Sequence, residues 1–162
     1  MRFAVLTISD KGYAHQREDA SGQEIIRLVQ AAGYELAHYG ILPDEQVHIS
    51  AELRRLCDGR VAELVLTTGG TGFAKRDVTP EATLAVVERL CPGIPEAMRA
   101  MSMAVTDRAM LTRSVAGIRG DSLIINMPGS PKAVRECLEY ILGPLKHGLE
   151  ILVGQASECA RH

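Results

Sequence analysis

The segment LTTGGTGFAKRDVTPEAT, residues 66–83, contains three glycines immediately after an apolar run. A plain turn needs one or two glycines, whereas closely spaced glycines allow backbone N–H groups to approach a phosphate. The segment lacks the Lys-Ser/Thr pair of a Walker A motif and the third glycine of a dinucleotide fingerprint. We predict a phosphate-binding loop of another type; the alternative is a tight strand-to-helix connection.

Two aspartates accompany this loop, and their carboxylates suggest a divalent cation. Asp77 follows the last glycine by five residues, and Asp44 follows Pro43. A carboxylate repels bound phosphates unless a cation lies between them, and Mg²⁺ accepts one or two carboxylates plus substrate oxygens. The alternative for each is a helix cap. We predict Asp44 and Asp77 as catalytic and metal-ligating residues, and Asp10 as a further candidate that could be a solvated turn residue.

Three polar segments follow strand-like runs: TISD (7–10), TTGGTG (67–72) and NMPGSPK (126–132). Ligands of open α/β sheets bind at the carboxyl ends of the strands, and the helix expected after Ser130 directs its positive end there. Lysine and arginine side chains nearby could neutralise phosphates or be ordinary surface charges. The predicted binding residues are Ser9, Asp10, Thr68, Gly69, Gly70, Thr71, Gly72, Pro128, Gly129, Ser130 and Lys132.

Strand and helix patterns alternate along the chain, which predicts a mainly parallel sheet with helices on both faces. Apolar or β-type runs at 2–9, 34–42 and 62–68 are predicted strands, and SVAGI and SLIINM form a hairpin around the turn RGD. The predicted helices have capping signals at their starts. These signals are Ser21, Pro43-Asp44, Thr79 with Pro80 (for a helix carrying Leu84, Val87 and Leu90), and Ser130 with Pro131. Pro92, Gly93 and Pro95 interrupt the chain before a further predicted helix.

Composition indicates one ordinary domain, residues 1–162, of a soluble protein. The net charge is −2 and 46% of residues are hydrophobic, which argues against nucleic acid or an anionic membrane as partner. The first apolar run is too short for a signal peptide, so we expect a cytoplasmic protein. The four cysteines form no C-x-x-C pair and the five histidines have no metal-ligand spacing; reduced, mostly buried thiols are expected, and no protein-only metal cage.

Several motifs in order resemble one known family: LTTGGTG, RDVTPEAT, PGIPEAMR and INMPGSPKAV. They are similar to the MogA/MoaB family of molybdenum cofactor biosynthesis, related to the gephyrin G domain, and the similarity covers nearly the whole chain. The resemblance implies a three-layer α/β/α sandwich, typically a homotrimer, that binds molybdopterin. Ser130 departs from the Asn or Gln that other members often carry.

The resemblance also implies an activity: adenylylation of molybdopterin by ATP with Mg²⁺, giving adenylyl-molybdopterin and pyrophosphate. Asp44 and Asp77 occupy positions regarded as functional in the family, and a downstream molybdenum-insertion protein would be a partner. The alternative is a MoaB-like, non-catalytic molybdopterin-binding or scaffolding trimer. A domain like that of the competence-damage-inducible proteins is a third possibility. Met98, Met101, Met103 and Met110 are the candidate trimer surface.

Overall fold

The computed structural model describes residues 1–155. Short polar or glycine-containing segments separate its helices and strands, as the alternating pattern predicts. The elements in chain order are β1 (Arg2–Ile8), α1 (Asp10–Tyr13), α2 (Ala20–Ala31), β2 (Glu35–Leu42), α3 (Gln46–Asp58), β3 (Leu64–Thr68), α4 (Thr79–Leu84), β4 (Arg89–Leu90), α5 (Gly93–Met103), a 3-10 helix (Asp107–Leu111), β5 (Ala116–Arg119), β6 (Ser122–Met127) and α6 (Pro131–Leu152).

The strands form a six-stranded sheet in the order β2-β1-β3-β6-β5-β4. Pairs β1–β2, β1–β3 and β3–β6 are parallel, and β5 pairs antiparallel with β4 and β6. The predicted hairpin is confirmed, with Gly120 in its turn at a φ of +53°. The carboxyl ends of β1, β2, β3 and β6 therefore meet at one edge of the sheet.

Two apolar layers cover the two faces of this sheet, which confirms the three-layer α/β/α class. Alternate residues of β1 point to opposite faces, as strand geometry requires. Phe3 and Val5 belong to the cluster that packs with α2, α5 and α6, whereas Ala4 and Leu6 pack with α3 and α4. Each strand of the sheet centre is thus buried on both sides.

The structure corrects three local predictions about helices. The predicted cap of α2 was Ser21, but the side chain of Asp19 accepts the hydrogen bond from Gly22 N. Thr79 is the first residue of α4 rather than its cap, because its hydroxyl bonds to the glycine loop instead. The helix ends at Leu84, and Leu90 lies in strand β4. Backbone pairing with the open edge of β5 outweighs the helical periodicity there.

The methionines and cysteines are divided between the interior and the surface. Met98 is buried in the core and Met101 packs against it, so trimer contacts stay a prediction only for the exposed Met103 and Met110. Cys57 and Cys137 are buried free thiols and Cys91 is partly buried, as predicted, while Cys159 lies outside the described residues.

No helix within residues 1–155 is both long enough and apolar enough to cross a bilayer.

Asn126 connects the sheet to α4 through a fully buried polar network. Its amide donates to the hydroxyls of Thr67 at 3.0 Å and Thr83 at 2.8 Å, and its carbonyl accepts from Val115 N at 3.1 Å. Buried polar groups lose their partners if this side chain is removed. The network therefore holds α4 beside the end of β3.

We expect Asn126→Ala to lower the free energy of unfolding by about 2–4 kcal/mol, because it leaves three buried polar groups unpaired. Urea unfolding measures the change. Ser122→Ala is the control, since Ser122 is also buried and its hydroxyl donates to the carbonyl of Ala62, outside this network. Equal losses for the two variants would contradict the network's role.

Candidate functional site

A polar cavity of about 340 Å³ lies at the carboxyl edge of the parallel strands. The predicted convergence of strand ends explains it, because β1, β3 and β6 each continue into one of its walls. Seven predicted residues line it: Ser9, Asp44, Thr68, Gly69, Gly70, Asp77 and Gly129.

The glycine loop has a backbone conformation that requires glycine at two positions. Gly69 has a φ of +92° and Gly70 a φ of +64°. A Cβ on Gly69 would lie 2.4 Å from the carbonyl oxygen of Ile8, and one on Gly70 would lie 2.4 Å from the hydroxyl of Thr79 and 3.1 Å from Asp44 Oδ1. The loop is thus folded tightly against β1, α4 and the first carboxylate, with its backbone at the cavity.

Side-chain hydroxyls hold the loop in this shape. Thr68 donates to the carbonyl of Pro128 at 2.7 Å, and Thr79 donates to the carbonyl of Gly69 at 2.9 Å. Thr79 N also donates to the carbonyl of Gly70 at 3.1 Å. The loop carbonyls are therefore satisfied within the protein, which rigidifies a backbone that could present N–H groups to an anion.

Asp44 is paired with Asp10, the first residue of α1, rather than capping α3, the helix for which it was predicted as a cap. Asp10 N donates to Asp44 Oδ2 at 2.8 Å, and Asp44 N donates to Asp10 Oδ1 at 3.1 Å. Glu45 precedes α3 and makes no side-chain cap bond. Burial raises the pKa of Asp44 above its usual value, and the charges of Asp10 and Asp77 raise it further. The capping interpretation of Asp44 is wrong, and negative charge is concentrated beside the loop.

Asp77 lies on the other side of the same loop and closes a short turn. Its Oδ2 accepts from Ala74 N at 2.9 Å, and its backbone N donates to the carbonyl of Ala74 at 2.9 Å. Oδ2 would lie 2.8 Å from a Cβ on Gly72. Asp77 therefore caps its own turn instead of α4, and its carboxylate faces the glycine loop.

Arg76 is engaged with carboxylates at the rim. Its Nε and Nη2 donate to the two oxygens of Asp10 at 2.6 and 2.9 Å, and Nη2 also contacts Glu45 Oε1 at 3.0 Å. These bonds lower the pKa of Asp10. Asp10 is thus neutralised within the protein and does not line the cavity, whereas Asp44 and Asp77 do.

The donor set fits a hard divalent cation that shares its ligands with a substrate. Asp44 and Asp77 both line the cavity, and each already uses one oxygen, Oδ2, as the acceptor for a backbone N–H. Within residues 1–155 no group of three or more His, Cys, Asp or Glu side chains is arranged to hold a metal. Mg²⁺ is commonly held by one or two carboxylates together with phosphate oxygens and water. The pair suits that mode of binding.

A second cavity, of about 320 Å³, is lined by the later residues of the glycine loop. Thr71, Gly72 and Pro128 line it, and Gly129 borders both cavities. Its walls are mostly apolar, with two arginines, Arg99 and Arg108, among the lining residues. Eight of the eleven predicted binding residues thus line one or both of two cavities.

Three predicted binding residues line neither cavity: Asp10, Ser130 and Lys132. Ser130 precedes α6, as predicted, but makes no cap hydrogen bond. The side chain of Lys132 is 79% exposed, with Nζ 4.0 Å from Glu136 Oε1. Their roles stay predictions.

Sequence reasoning missed Asp19, which borders the polar cavity and organises it. Asp19 accepts from Thr7 Oγ1 at 2.6 Å, from Tyr39 OH at 2.7 Å and from Gly22 N at 2.8 Å. Burial, with help from Asp19, raises the pKa of Tyr39 to about 12. The only sequence signal was an aspartate three residues before a glycine at a helix start.

Comparisons with known proteins agree on one family. The family model described as "probable molybdopterin binding domain" matches residues 4–147. The molybdopterin adenylyltransferase of Helicobacter pylori strain J99 is 41% identical over 157 residues, which cover 95% of this chain and 89% of that protein. The molybdopterin adenylyltransferase of Escherichia coli K12 is 42% identical over 144 residues, 87% of this chain and 73% of that protein.

A solved structure gives the same result for the fold. The molybdopterin biosynthesis enzyme MoaB of Thermus thermophilus has a TM-score of 0.89 and 44% identity, with 94% of this chain and 96% of that chain covered. Fold and site together define an α/β protein with a candidate anion site at the carboxyl edge of a parallel sheet. The chain belongs to the MogA/MoaB family of molybdenum cofactor biosynthesis.

Proposed function

We propose that this chain catalyses the Mg²⁺-dependent adenylylation of molybdopterin by ATP. The observation that carries the proposal is the cavity in which Asp44 and Asp77 flank the glycine loop. The two relatives of more than 40% identity named above, both molybdopterin adenylyltransferases, support it. Paired acids next to a phosphate loop are explained by a cation and a nucleotide, whereas a passive binder of anions gains nothing from them.

The reaction requires little acid–base chemistry from the protein. A terminal phosphate oxygen of molybdopterin attacks the α-phosphorus of ATP, and the bond between that phosphorus and the oxygen bridging to the β-phosphorus breaks. Pyrophosphate leaves with the electron pair. Because the attacking phosphate is already an anion at neutral pH, positioning and charge neutralisation supply most of the catalysis.

Each part of the site has a role in this scheme. Asp44 and Asp77 would hold Mg²⁺, which when bound neutralises charge on the phosphates. The backbone N–H groups of the glycine loop orient the reacting phosphates. The two cavities, which meet at Gly129, would each accept the non-reacting part of one substrate. Two substrates bound in these cavities would therefore meet at the glycine loop.

Pyrophosphate release tests the proposal directly. Purified protein with molybdopterin, ATP and Mg²⁺ is expected to release one pyrophosphate for each adenylyl-molybdopterin formed, and omission of any component should stop release. Molybdopterin binding without pyrophosphate release would instead favour the non-catalytic binding or scaffolding role.

We expect Asp77→Asn to lower turnover about 100-fold or more, because it removes one of two charges that hold the cation while keeping an oxygen that can accept from Ala74 N. Steady-state pyrophosphate release measures the loss, and the melting temperature should change little. Asp121→Asn is the control, since Asp121 is exposed in the hairpin turn. Unchanged turnover in Asp77→Asn would remove Asp77 from the mechanism.

A further inference from the structure

Arg113 joins the glycine loop, the Asp77 turn and α4. Its Nε donates to the carbonyl of Gly72 at 2.8 Å, Nη2 donates to the carbonyl of Asp77, and Nη1 pairs with the carboxylate of Glu81. Its backbone N donates to the carbonyl of Thr71 at 2.9 Å. One residue that lies more than 30 positions further along the chain thus contacts both ends of the segment from residue 71 to residue 77.

These contacts reach the catalytic segment through its backbone. The turn at residues 74–77 is closed by hydrogen bonds between Ala74 and Asp77, and the direction of the Asp77 carboxylate depends on where that turn lies. The Arg113 guanidinium bonds to both the turn and the loop, and so contributes to fixing the position of one relative to the other. A planar guanidinium with five donors can hold three acceptors in fixed directions, which an ammonium group cannot do.

Glu81 makes this arrangement depend on the arginine. Its Oε1 pairs with Arg113, while Oε2 is buried and has no hydrogen-bond partner among residues 1–155. Without the guanidinium, the half-exposed carboxylate of Glu81 would lose its counter-charge, and the carbonyls of Gly72 and Asp77 would lose their donors. Relaxation of the segment would then follow, because its carbonyls would turn toward water.

We propose that Arg113 is a positioning residue that sets the Asp77 carboxylate and the glycine loop in the geometry that binds the cation and the reacting phosphates. The expected effect of Arg113 on turnover rests on the proposed function. Its expected effect on the position of the glycine loop does not rest on that function, since the contacts are made within the protein.

Arg119 supplies a matched control. Its Nε and Nη2 donate to the two oxygens of Asp58, each at 2.8 Å, and Nη1 donates to the carbonyl of Val86 at 3.0 Å. Like the guanidinium of Arg113, that of Arg119 therefore bonds both to a carboxylate and to the main chain. It lies at the end of β5 and lines neither of the two cavities.

The first experiment compares pyrophosphate release by Arg113→Ala, Arg113→Lys and Arg119→Ala. We expect Arg113→Ala to lower kcat about 10- to 100-fold. It should also raise the Mg²⁺ concentration that gives the half-maximal rate, because a displaced Asp77 carboxylate binds the ion poorly. Arg113→Lys should recover only part of the rate. Guanidinium ion, added far below unfolding concentrations, should partly restore Arg113→Ala, and equal NaCl should not.

The second experiment needs no activity. Hydrogen–deuterium exchange is measured for peptides covering residues 69–79 and 84–92 in each variant. Arg113→Ala should speed exchange in the first peptide and leave the second unchanged, whereas Arg119→Ala should do the reverse.

The outcomes separate the two proposals. If the unsubstituted protein releases no pyrophosphate, the proposed function fails, and the exchange data alone decide whether Arg113 positions the loop. Unchanged exchange at 69–79 in Arg113→Ala overturns the positioning role. Equal losses of turnover in Arg113→Ala and Arg119→Ala, with no guanidinium rescue, would reduce Arg113 to a general structural residue and overturn the proposal as well.

Discussion

Replacing Asp44 with asparagine is expected to lower turnover about 100- to 1000-fold while leaving the folded protein at least as stable at neutral pH. The loss of rate follows from removing a charge that would hold the cation in the polar cavity. The asparagine oxygen can still accept the hydrogen bond from Asp10 N. Pyrophosphate release and thermal unfolding of the same samples measure the two effects.

The stability effect follows from the raised pKa of Asp44. Burial, together with the charges of Asp10 and Asp77, raises the pKa in the folded state above the usual 3.8. Between these two pKa values the folded state holds more protons than the unfolded state, so the free energy of unfolding falls as pH rises. Above that window the ionised carboxylate destabilises the fold, and asparagine removes this penalty.

The pH dependence distinguishes this explanation from a simple change of contacts. The difference in melting temperature between Asp44→Asn and the unsubstituted protein should be largest at neutral pH and disappear well below pH 3.8, where the carboxyl is neutral in both states. Activity of the unsubstituted protein should also fall as Asp44 is protonated. A variant that is less stable at neutral pH would show that the Asp44 charge stabilises the fold.

Replacing Gly69 with alanine is expected to destabilise the protein by about 3 kcal/mol or more and to abolish nucleotide binding. A methyl group there meets the carbonyl oxygen of Ile8 at 2.4 Å, at a φ of +92°. Ile8 is the last residue of β1, and Ser9 N is bonded to the carbonyl of Leu42 at 2.9 Å. The strand is therefore fixed, and the loop must move away from the cavity.

Gly33→Ala separates the cost of backbone conformation from the cost of the clash. Gly33 has a φ of +88°, and a methyl group added there would meet no heavy atom within 4 Å, so its substitution should cost about 1–2 kcal/mol. Urea unfolding gives the stability of both variants, and isothermal titration with Mg²⁺ and ATP gives binding. Similar losses of stability, with binding intact in Gly69→Ala, would show that close packing of the loop against β1 is unimportant.

Much of the site was predictable because local pattern and topology are coupled. Continuous apolar runs alternating with helix signals imply parallel strands, and parallel strands place their carboxyl ends at one edge. Ser9, Thr68 and Gly129 lie at the ends of three different strands and meet there. The glycines signalled an unusual backbone for a physical reason, since glycine adopts positive φ values without strain and has no Cβ to clash with Ile8 or Thr79.

Helix boundaries and short strands were less predictable, because hydrogen-bonding partners distant in sequence decide them. Thr79 has the side chain of a cap, but its hydroxyl donates to the carbonyl of Gly69 and it begins the helix instead of capping it. Leu90 fits a helical period, yet the backbone around it pairs with β5. Local propensity is a weak preference that such tertiary bonds override.

The sequence by itself determined the family, the alternation of the main strands and helices, and the glycine and aspartate motifs, because these depend on residue type and spacing. Only the tertiary structure decided which charges are neutralised. Arg76 pairs with Asp10, Arg113 pairs with Glu81, and Asp44 is left beside Asp77 with its pKa raised. Electrostatic energy depends on distance and burial, and neither is fixed by position along the chain until the sheet brings these segments together.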